Sequence, residues 1–218
     1  MALFASMLMS LPSAQAASRT IKLGGVKVKV TKYTKQAITV NRSSGTKARV
    51  TYWRKTSKGW DARRTTKRGR IGYGGLVAGS KRKQGTGTTP IGTYKITQSF
   101  GNSAKPKGTT LAFHRVRKGD YWVQDNGSRY YNYRRNKSQG DFRTKGSEYL
   151  PSYKKQYAWS IVINFNRPNP VKKRGSGIFL HVNGKGATAG CVSAPKWFIK
   201  DMTQLMRKKY APRIAIGR

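Results

Sequence analysis

Short runs of alternating apolar and polar residues recur along this chain and limit it to a mainly β architecture. β-Branched and aromatic residues fill these runs, and turn-forming residues separate them, which is typical of strands joined by turns. The predicted strands lie at residues 37–40, 48–53, 91–100, 121–123, 158–165, 177–182 and 213–216. The run 158–165 is almost wholly apolar, so we expect it to be a central strand.

One segment, residues 195–208, has a helical pattern instead. Its apolar residues recur at helical spacing and share one face, namely Phe198, Met202, Leu205 and Met206. Pro195 suits the first turn of a helix, and Ser193 or Ala194 would cap it. The sequence therefore predicts a mainly β protein with one short helix near its C-terminal end.

An apolar N-terminal run predicts a signal peptide over residues 1–16. The run is followed by a proline and by an A-x-A pattern at residues 14–16, as at a secretory cleavage site. No Lys or Arg precedes the run, and an apolar tail of no consequence is the alternative. No later stretch approaches the ~20 apolar residues of a membrane span. We therefore expect a protein secreted to the cell wall or another extracytoplasmic location, without a membrane span after processing.

The remaining chain is expected to form one domain, residues 36–218. Residues 17–35 are basic and interrupted by glycines, and they predict a basic tail or a first edge strand. Residues 101–157 lack a regular pattern and are rich in Tyr, Gly and Asn, which favours long surface loops or a lid. The chain contains no internal repeat, and its length is that of a single domain.

A large positive charge indicates the kind of partner. The chain has 46 Lys and Arg residues against 6 Asp and Glu residues, a formal net charge of +40. Self-repulsion at this charge destabilises a compact state unless anions are nearby. Nucleic acid, anionic membrane and an anionic cell wall are the candidates, and export favours cell-wall polymers. The basic residues are spread over the chain without a nucleic-acid-binding motif, so specific nucleic-acid binding is not expected; a basic nucleic-acid-binding protein is the alternative.

Several kinds of chemistry can be set aside. A structural zinc site needs about four ligands, and the chain has one Cys and two distant His residues. The sequence has no phosphate-binding G-x-x-x-x-G-K-[ST] loop and no G-x-S-x-G nucleophile elbow. Its few acidic residues make catalysis by paired carboxylates improbable. We therefore predict no metal site and no cofactor.

The single cysteine, Cys191, and one histidine, His181, lie in one short segment. His181 ends a predicted strand, small residues follow, and Cys191 precedes the predicted helix. A histidine or a helix N-terminus beside a thiol stabilises the thiolate, which is the nucleophile. The backbone amides of Gly190 and Cys191 are candidate donors to an oxyanion. A packed cysteine and a structural histidine are the alternative.

This segment resembles the catalytic motif of the L,D-transpeptidases, cysteine enzymes that cross-link bacterial peptidoglycan. The residues that carry the resemblance are His181, Gly184, Thr188, Gly190 and Cys191. A second segment, Thr-Pro-Ile-Gly-Thr-Tyr at 89–94, resembles the upstream motif of the family and follows the Gly-Thr-Gly turn at 85–87. The resemblance runs from about residue 36 to the C-terminus and is strongest to a secreted, actinobacterial-looking subgroup. It implies an L,D-transpeptidase-like β-sandwich with one short helix after the catalytic cysteine.

The resemblance also implies a reaction. Cys191 would attack the carbonyl before the terminal D-alanine of a peptidoglycan tetrapeptide stem, and His181 would protonate the leaving D-alanine. The side-chain amine of a second stem would then attack the thioester and form a cross-link. The alternatives are an L,D-carboxypeptidase, in which water replaces the amine, and an inactive wall-binding protein. Ser193 stands where family members often have Arg, and His114 and Trp122 are candidate substrate-binding residues. A monomer is expected.

Overall fold

Fifteen strands and one α-helix make up residues 17–218, the part of the chain that this computed structural model describes. The predicted signal peptide, residues 1–16, lies outside the described residues. The strands are β1 (Ser18–Leu23), β2 (Val26–Thr31), β3 (Gln36–Ser44), β4 (Lys47–Thr56), β5 (Gly59–Arg70), β6 (Leu76–Ala78), β7 (Thr89–Gly101), β8 (Ala112–Arg115), β9 (Asp120–Trp122), β10 (Arg134–Asn136), β11 (Glu148–Tyr149), β12 (Ser160–Ile163), β13 (Phe179–Val182), β14 (Val192–Ala194) and β15 (Arg213–Gly217).

Hydrogen bonds between strands close most of the sheet into a ring. The order is β12, β13, β14, β5, β4, β3, β15 and β7, and β7 pairs back with β12, while β6 and β8 pair with β7. Closing the ring gives each of its eight strands a neighbour on both sides, and free sheet edges are otherwise open to aggregation. The predicted mainly β fold is confirmed, with a sheet that closes like a barrel. Strand β12 has a neighbour on both sides, as expected of a central strand.

Side chains from one face of the ring form the main hydrophobic core. The helix α1 (Lys196–Leu205) packs against this face and contributes to the same core. Phe198, Ile199 and Met202 of α1 are fully buried there. The predicted helix is too long, because Met206 already has an extended backbone. The predicted cap is also wrong: Ser193 and Ala194 belong to β14, and Pro195 is the N-cap without a side-chain hydrogen bond. No helix among residues 17–218 has the length and apolarity needed to cross a membrane.

The segment predicted as a basic tail or an edge strand is a β-hairpin. Strands β1 and β2 pair antiparallel, and Val26, Val28 and Val30 alternate with exposed lysines along β2. These valines form a second apolar cluster with Ala37 of β3 and Ala215 of β15. The tail interpretation is therefore wrong, because the period-two valines give this basic segment one apolar face to bury.

Residues 101–157 are folded rather than a set of loops. They contain β8 and a separate three-stranded sheet in which β9 lies between β10 and β11. Trp122, Leu150 and Tyr157 of this region form a third apolar cluster with Phe100 of β7 and Phe179 of β13. Aromatic burial of this kind supplies much of the packing energy, and it fastens the region to the outer side of the ring. The candidate site lies on this outer side of the ring.

Candidate active site

The alternation of side chains along β13 places the candidate histidine outside the main core. Leu180 and Val182 point into the main core, whereas Phe179 belongs to the aromatic cluster and His181 packs edge-on against Tyr157. Successive residues of a strand face opposite sides, so the burial of Leu180 and Val182 sends His181 to the outer side. Cys191 lies in the same outer cluster as Phe179.

A cleft of about 560 Å³ opens on this side of the ring, and both candidate catalytic residues line it. One wall is the loop of small residues before the cysteine, including Gly184 and Thr188. The second wall comes from the folded region 101–157. The third comes from the segment around the Gly-Thr-Gly turn at 85–87. Four of the five predicted motif residues thus line one cleft, and these are His181, Gly184, Thr188 and Cys191.

The two sequence motifs are joined by one buried threonine. The Thr89 hydroxyl donates to the carbonyl of Gly190 (2.8 Å) and accepts from the N–H of Gly72 (2.8 Å). Gly72 has no room for a side chain, because a Cβ there would lie 2.0 Å from the carbonyl oxygen of Gly87. The Thr89 hydroxyl thus links the upstream motif to the segment before the cysteine.

We expect Thr89→Val to destabilise the protein by about 2–4 kcal/mol, since it leaves the Gly72 N–H and the Gly190 carbonyl buried without their partner. Valine has nearly the same shape, so the loss reports the hydrogen bonds. Urea unfolding measures it. The matched control is Thr20→Val at an exposed position of β1, where we expect a change within about 0.5 kcal/mol. Equal stabilities of the two variants would contradict the proposed link.

Gly190 lies just beneath the cleft and has a backbone that favours glycine. Its φ is +126°, and a Cβ there would lie 2.9 Å from the carbonyl oxygen of Thr88. The Gly190 N–H donates to the Thr188 hydroxyl (3.2 Å), which itself donates to the carbonyl of Cys191 (2.6 Å). The predicted oxyanion role of the Gly190 amide would require the bond to Thr188 to break, and it stays a prediction.

His181 is oriented for use as a base. Its Nδ1 lies 2.9 Å from the carbonyl oxygen of Val182, and since a carbonyl only accepts, Nδ1 carries the proton and Nε2 has the free lone pair. Burial lowers the pKa of His181 to about 4, although the bond to Val182 opposes this shift. The imidazole is therefore neutral near pH 7, and a backbone carbonyl orients it without an acidic side chain.

The Cys191 thiol is protonated in this state, contrary to the expected activation. Its Sγ donates to the carbonyl of Gly177 (3.2 Å) and accepts from the N–H of Phe179 (3.3 Å). Burial, and then the charge of Glu148, raise the pKa of Cys191 to about 12, while Phe179 and Arg82 act in the opposite direction. Strand β14 lies between Cys191 and α1 along the chain, so Cys191 is not in the first turn of the helix.

The rate of alkylation of Cys191 by iodoacetamide is expected to rise about tenfold per pH unit from pH 7 to pH 10, because only the thiolate reacts and its fraction increases until the pKa is passed. Mass spectrometry of the intact protein gives this rate directly, since the chain has one cysteine. Free cysteine, measured in parallel, should level off near its ordinary pKa of about 8.5. A plateau below pH 8 in the protein would show that the resting thiol is already activated.

Two functional candidates, Arg82 and Glu148, were not found from the sequence. Arg82 is almost fully buried in the cleft wall, where its Nε donates to the carbonyl of Thr88 (2.7 Å). Glu148 lines the opposite wall. Asn132 is buried beneath the cleft and accepts a hydrogen bond from the N–H of Gly177 (3.0 Å), the residue whose carbonyl receives the thiol proton. No local motif marks these residues, because each acts through contacts distant in sequence.

The two candidate substrate-binding residues lie outside the cleft. His114 binds the buried carboxylate of Asp120 (2.7 Å) and helps to hold the folded region 101–157 together. Trp122 is fully buried and donates to Asn132 (3.0 Å). Neither side chain is among the described residues that line the cleft. Trp122 on β9 faces the aromatic cluster, and the substrate-binding role of both residues stays a prediction.

Together, the closed sheet and the cleft place the chain among mainly β proteins with a cysteine–histidine site. Residues 35–212, most of the chain, match the family model of the L,D-transpeptidase catalytic domain (YkuD). The chain therefore belongs to the L,D-transpeptidase family, as its two motifs predicted. A search of curated proteins and of solved structures finds no match.

Proposed function

We propose that this protein is an exported L,D-transpeptidase that acts on tetrapeptide stems of peptidoglycan, with Cys191 as nucleophile and His181 as base. The observation that carries the proposal is that a carbonyl-oriented His181 and the Cys191 thiol line the same cleft. A neutral imidazole accepts the proton that the thiol must lose before it attacks. The family match supports the class of reaction.

The proposed reaction has two halves. In the first, His181 takes the thiol proton, and Sγ attacks the carbonyl between the third residue of the stem and its terminal D-alanine. The C–N bond breaks, D-alanine leaves with the proton from His181, and a thioester remains. In the second, the side-chain amine of another stem attacks the thioester and gives a proton to His181. The C–S bond breaks, His181 returns the proton to the Cys191 thiolate, and the new amide is the cross-link.

Arg82 is the candidate partner for the carboxylate of D-alanine. A Cβ on Gly190 would lie 2.8 Å from Nη2 of Arg82, so the guanidinium lies directly beside the nucleophile loop. Its Nε and Nη1 donate to the carbonyls of Thr88 and Arg174, which fixes its plane. A guanidinium is well suited to bind a carboxylate. Arg82 would then bind the carboxylate in place of the Arg that family members often have at the position of Ser193.

The charge of +40 supports a location in the cell wall. Wall polymers carry carboxylates and phosphates, and a strongly basic protein accumulates in such a polyanion. In this proposal the signal peptide directs export and the basic surface retains the processed enzyme in the wall. The retention should weaken as salt is added, since salt screens exposed charges.

The test is to incubate the purified protein with a disaccharide-tetrapeptide and follow the products by mass spectrometry, with Cys191→Ala in parallel. Loss of D-alanine together with a cross-linked dimer, both absent in the variant, is the expected result. Loss of D-alanine without a dimer would point to the carboxypeptidase. No product from the folded protein would overturn the proposal and favour a wall-binding or nucleic-acid-binding role.

A further inference from the structure

The cleft of this very basic protein contains a single acidic side chain among its described lining residues, Glu148. The chain has 46 Lys and Arg residues, yet no basic side chain within residues 17–218 forms an ion pair with Glu148. A carboxylate in a partly buried site is costly unless a cation or several donors satisfy it. Its position in the cleft therefore indicates a cationic partner that comes from the substrate.

The carboxyl group of Glu148 lies close to the nucleophile. Its backbone in β11 pairs with Trp122 of β9, and the Tyr157 hydroxyl donates to Oε1. A Cβ on Gly177 would lie 3.4 Å from Oε2, and the carbonyl of Gly177 accepts the hydrogen bond from the Cys191 thiol. Within residues 17–218 no protein group donates to Oε2, so this oxygen is available to a ligand in the cleft.

The charge of Glu148 opposes the chemistry proposed for Cys191. Burial raises the pKa of Glu148 to about 7, and the hydrogen bond from Tyr157 opposes this shift. In its ionised form Glu148 repels a thiolate at Cys191, which is one cause of the raised pKa of that thiol. A cation bound at Oε2 would cancel this repulsion. Binding of a cationic substrate would then favour ionisation of the nucleophile.

We propose that Glu148 binds the side-chain ammonium of the third residue of the acyl-donor stem and so selects stems that carry a diamino acid there. The inference rests on the proposed function and names the group that decides its substrate specificity. The third residue becomes the acyl group on Cys191, so its side chain must lie within reach of the cysteine. Glu148 is the acidic group that the described cleft offers it.

Glu148 suits the donor amine better than the acceptor amine. The acceptor amine must be neutral to attack the thioester, whereas a neighbouring carboxylate favours the protonated, charged form of an amine. An ammonium held by Glu148 is thus protected from acting as a nucleophile. The donor stem needs only to be bound and oriented, which a charge-assisted hydrogen bond does well.

The experiment compares two tetrapeptide stems that differ only in the third residue, lysine or norleucine. Release of D-alanine into water, without an acceptor, is measured for the wild type, for Glu148→Gln and for the matched control Asp141→Asn. Asp141 is fully exposed, so its variant makes the same change of charge away from the cleft. Dissociation constants of both stems are also measured by calorimetry on Cys191→Ser, alone and combined with Glu148→Gln.

We expect the wild type and Asp141→Asn to prefer the lysine stem by roughly 10–100-fold in kcat/KM, as for a hydrogen bond to a charged group. Glu148→Gln should lose this preference and still process the norleucine stem. The Cys191→Ser protein should bind the lysine stem more tightly, and the double variant should not. A general structural defect would weaken both stems equally.

Equal binding of the two stems by Cys191→Ser would overturn the inference, whatever happens to D-alanine. A binding preference that survives Glu148→Gln would overturn it as well. A different result would contradict the proposed function, namely that the wild type releases no D-alanine from either stem. Because the calorimetry needs no turnover, a preference for the lysine stem that depends on Glu148 would still support the inference in that case.

Discussion

Cys191→Ser is expected to reduce the release of D-alanine at least ~10⁴-fold, because a serine hydroxyl ionises far less readily than a thiol and is the weaker nucleophile here. Serine is close in size to cysteine and is able to keep the contacts with the Gly177 carbonyl and the Phe179 N–H. The variant should therefore fold normally and bind the stem. Its defect would belong to the chemical step.

Intact-protein mass spectrometry distinguishes this defect from poor folding. The wild type should gain the mass of the stem lacking D-alanine, and hydroxylamine should remove the adduct, as it cleaves a thioester. Cys191→Ser should gain no such mass and should keep a melting temperature within a few degrees of the wild type. More than a tenth of the wild-type rate in this variant would show that another residue is the nucleophile.

His181→Gln is the second substitution with a large expected effect, a loss of roughly 10²–10⁴-fold in the rate of acylation. The variant lacks the Nε2 lone pair that accepts the thiol proton in the proposed mechanism. For the wild type, the rate should fall as the pH drops toward the His181 pKa of about 4, since the protonated imidazole no longer accepts a proton. This dependence on His181 should disappear in the variant.

The other histidine provides the matched control. His114 lies outside the cleft and binds Asp120, so His114→Gln should lower stability and leave the acylation rate of the folded protein within about threefold of the wild type. Stopped-flow or quenched-flow measurement of the acyl-enzyme gives the rate for both variants. Equal losses of the acylation rate in the two variants would contradict the proposed role of His181 as base.

The raised pKa of Cys191 has a simple physical origin. The folded region 101–157 covers the outer side of the ring and withdraws the sulfur from water. Desolvation disfavours the thiolate more than the hydrogen bond from Phe179 and the charge of Arg82 favour it. In the proposed mechanism, activation would then come from the bound substrate and from His181.

Local patterns in the sequence predicted a large part of the fold. Seven predicted strands and the helix occur in the structure, with differences at their ends. Boundaries were less accurate: β12 is Ser160–Ile163, shorter than predicted, and α1 ends at Leu205. Periodicity reports which face of a segment is apolar, and it carries little information about the residue at which a neighbour stops covering that face.

The catalytic motif was readable because its spacing is local. His181, Gly184, Thr188 and Cys191 lie on one continuous segment, and the parallel pairing of β13 with β14 brings the ends of that segment together. The upstream motif was also recognised in the sequence, but its structural role was not. The bond from Thr89 to Gly190 joins residues about a hundred positions apart, and no periodicity predicts such a contact.

The sequence by itself determined the mainly β class, the family, the candidate nucleophile and base, and the basic character of the protein. Only the tertiary structure decided that residues 101–157 form a wall of the cleft, that Arg82 and Glu148 face the cysteine, and that the thiol is protonated at rest. The physical reason is that strand and helix patterns arise from neighbouring residues, whereas burial and electrostatic environment arise when the ring closes and distant segments pack together.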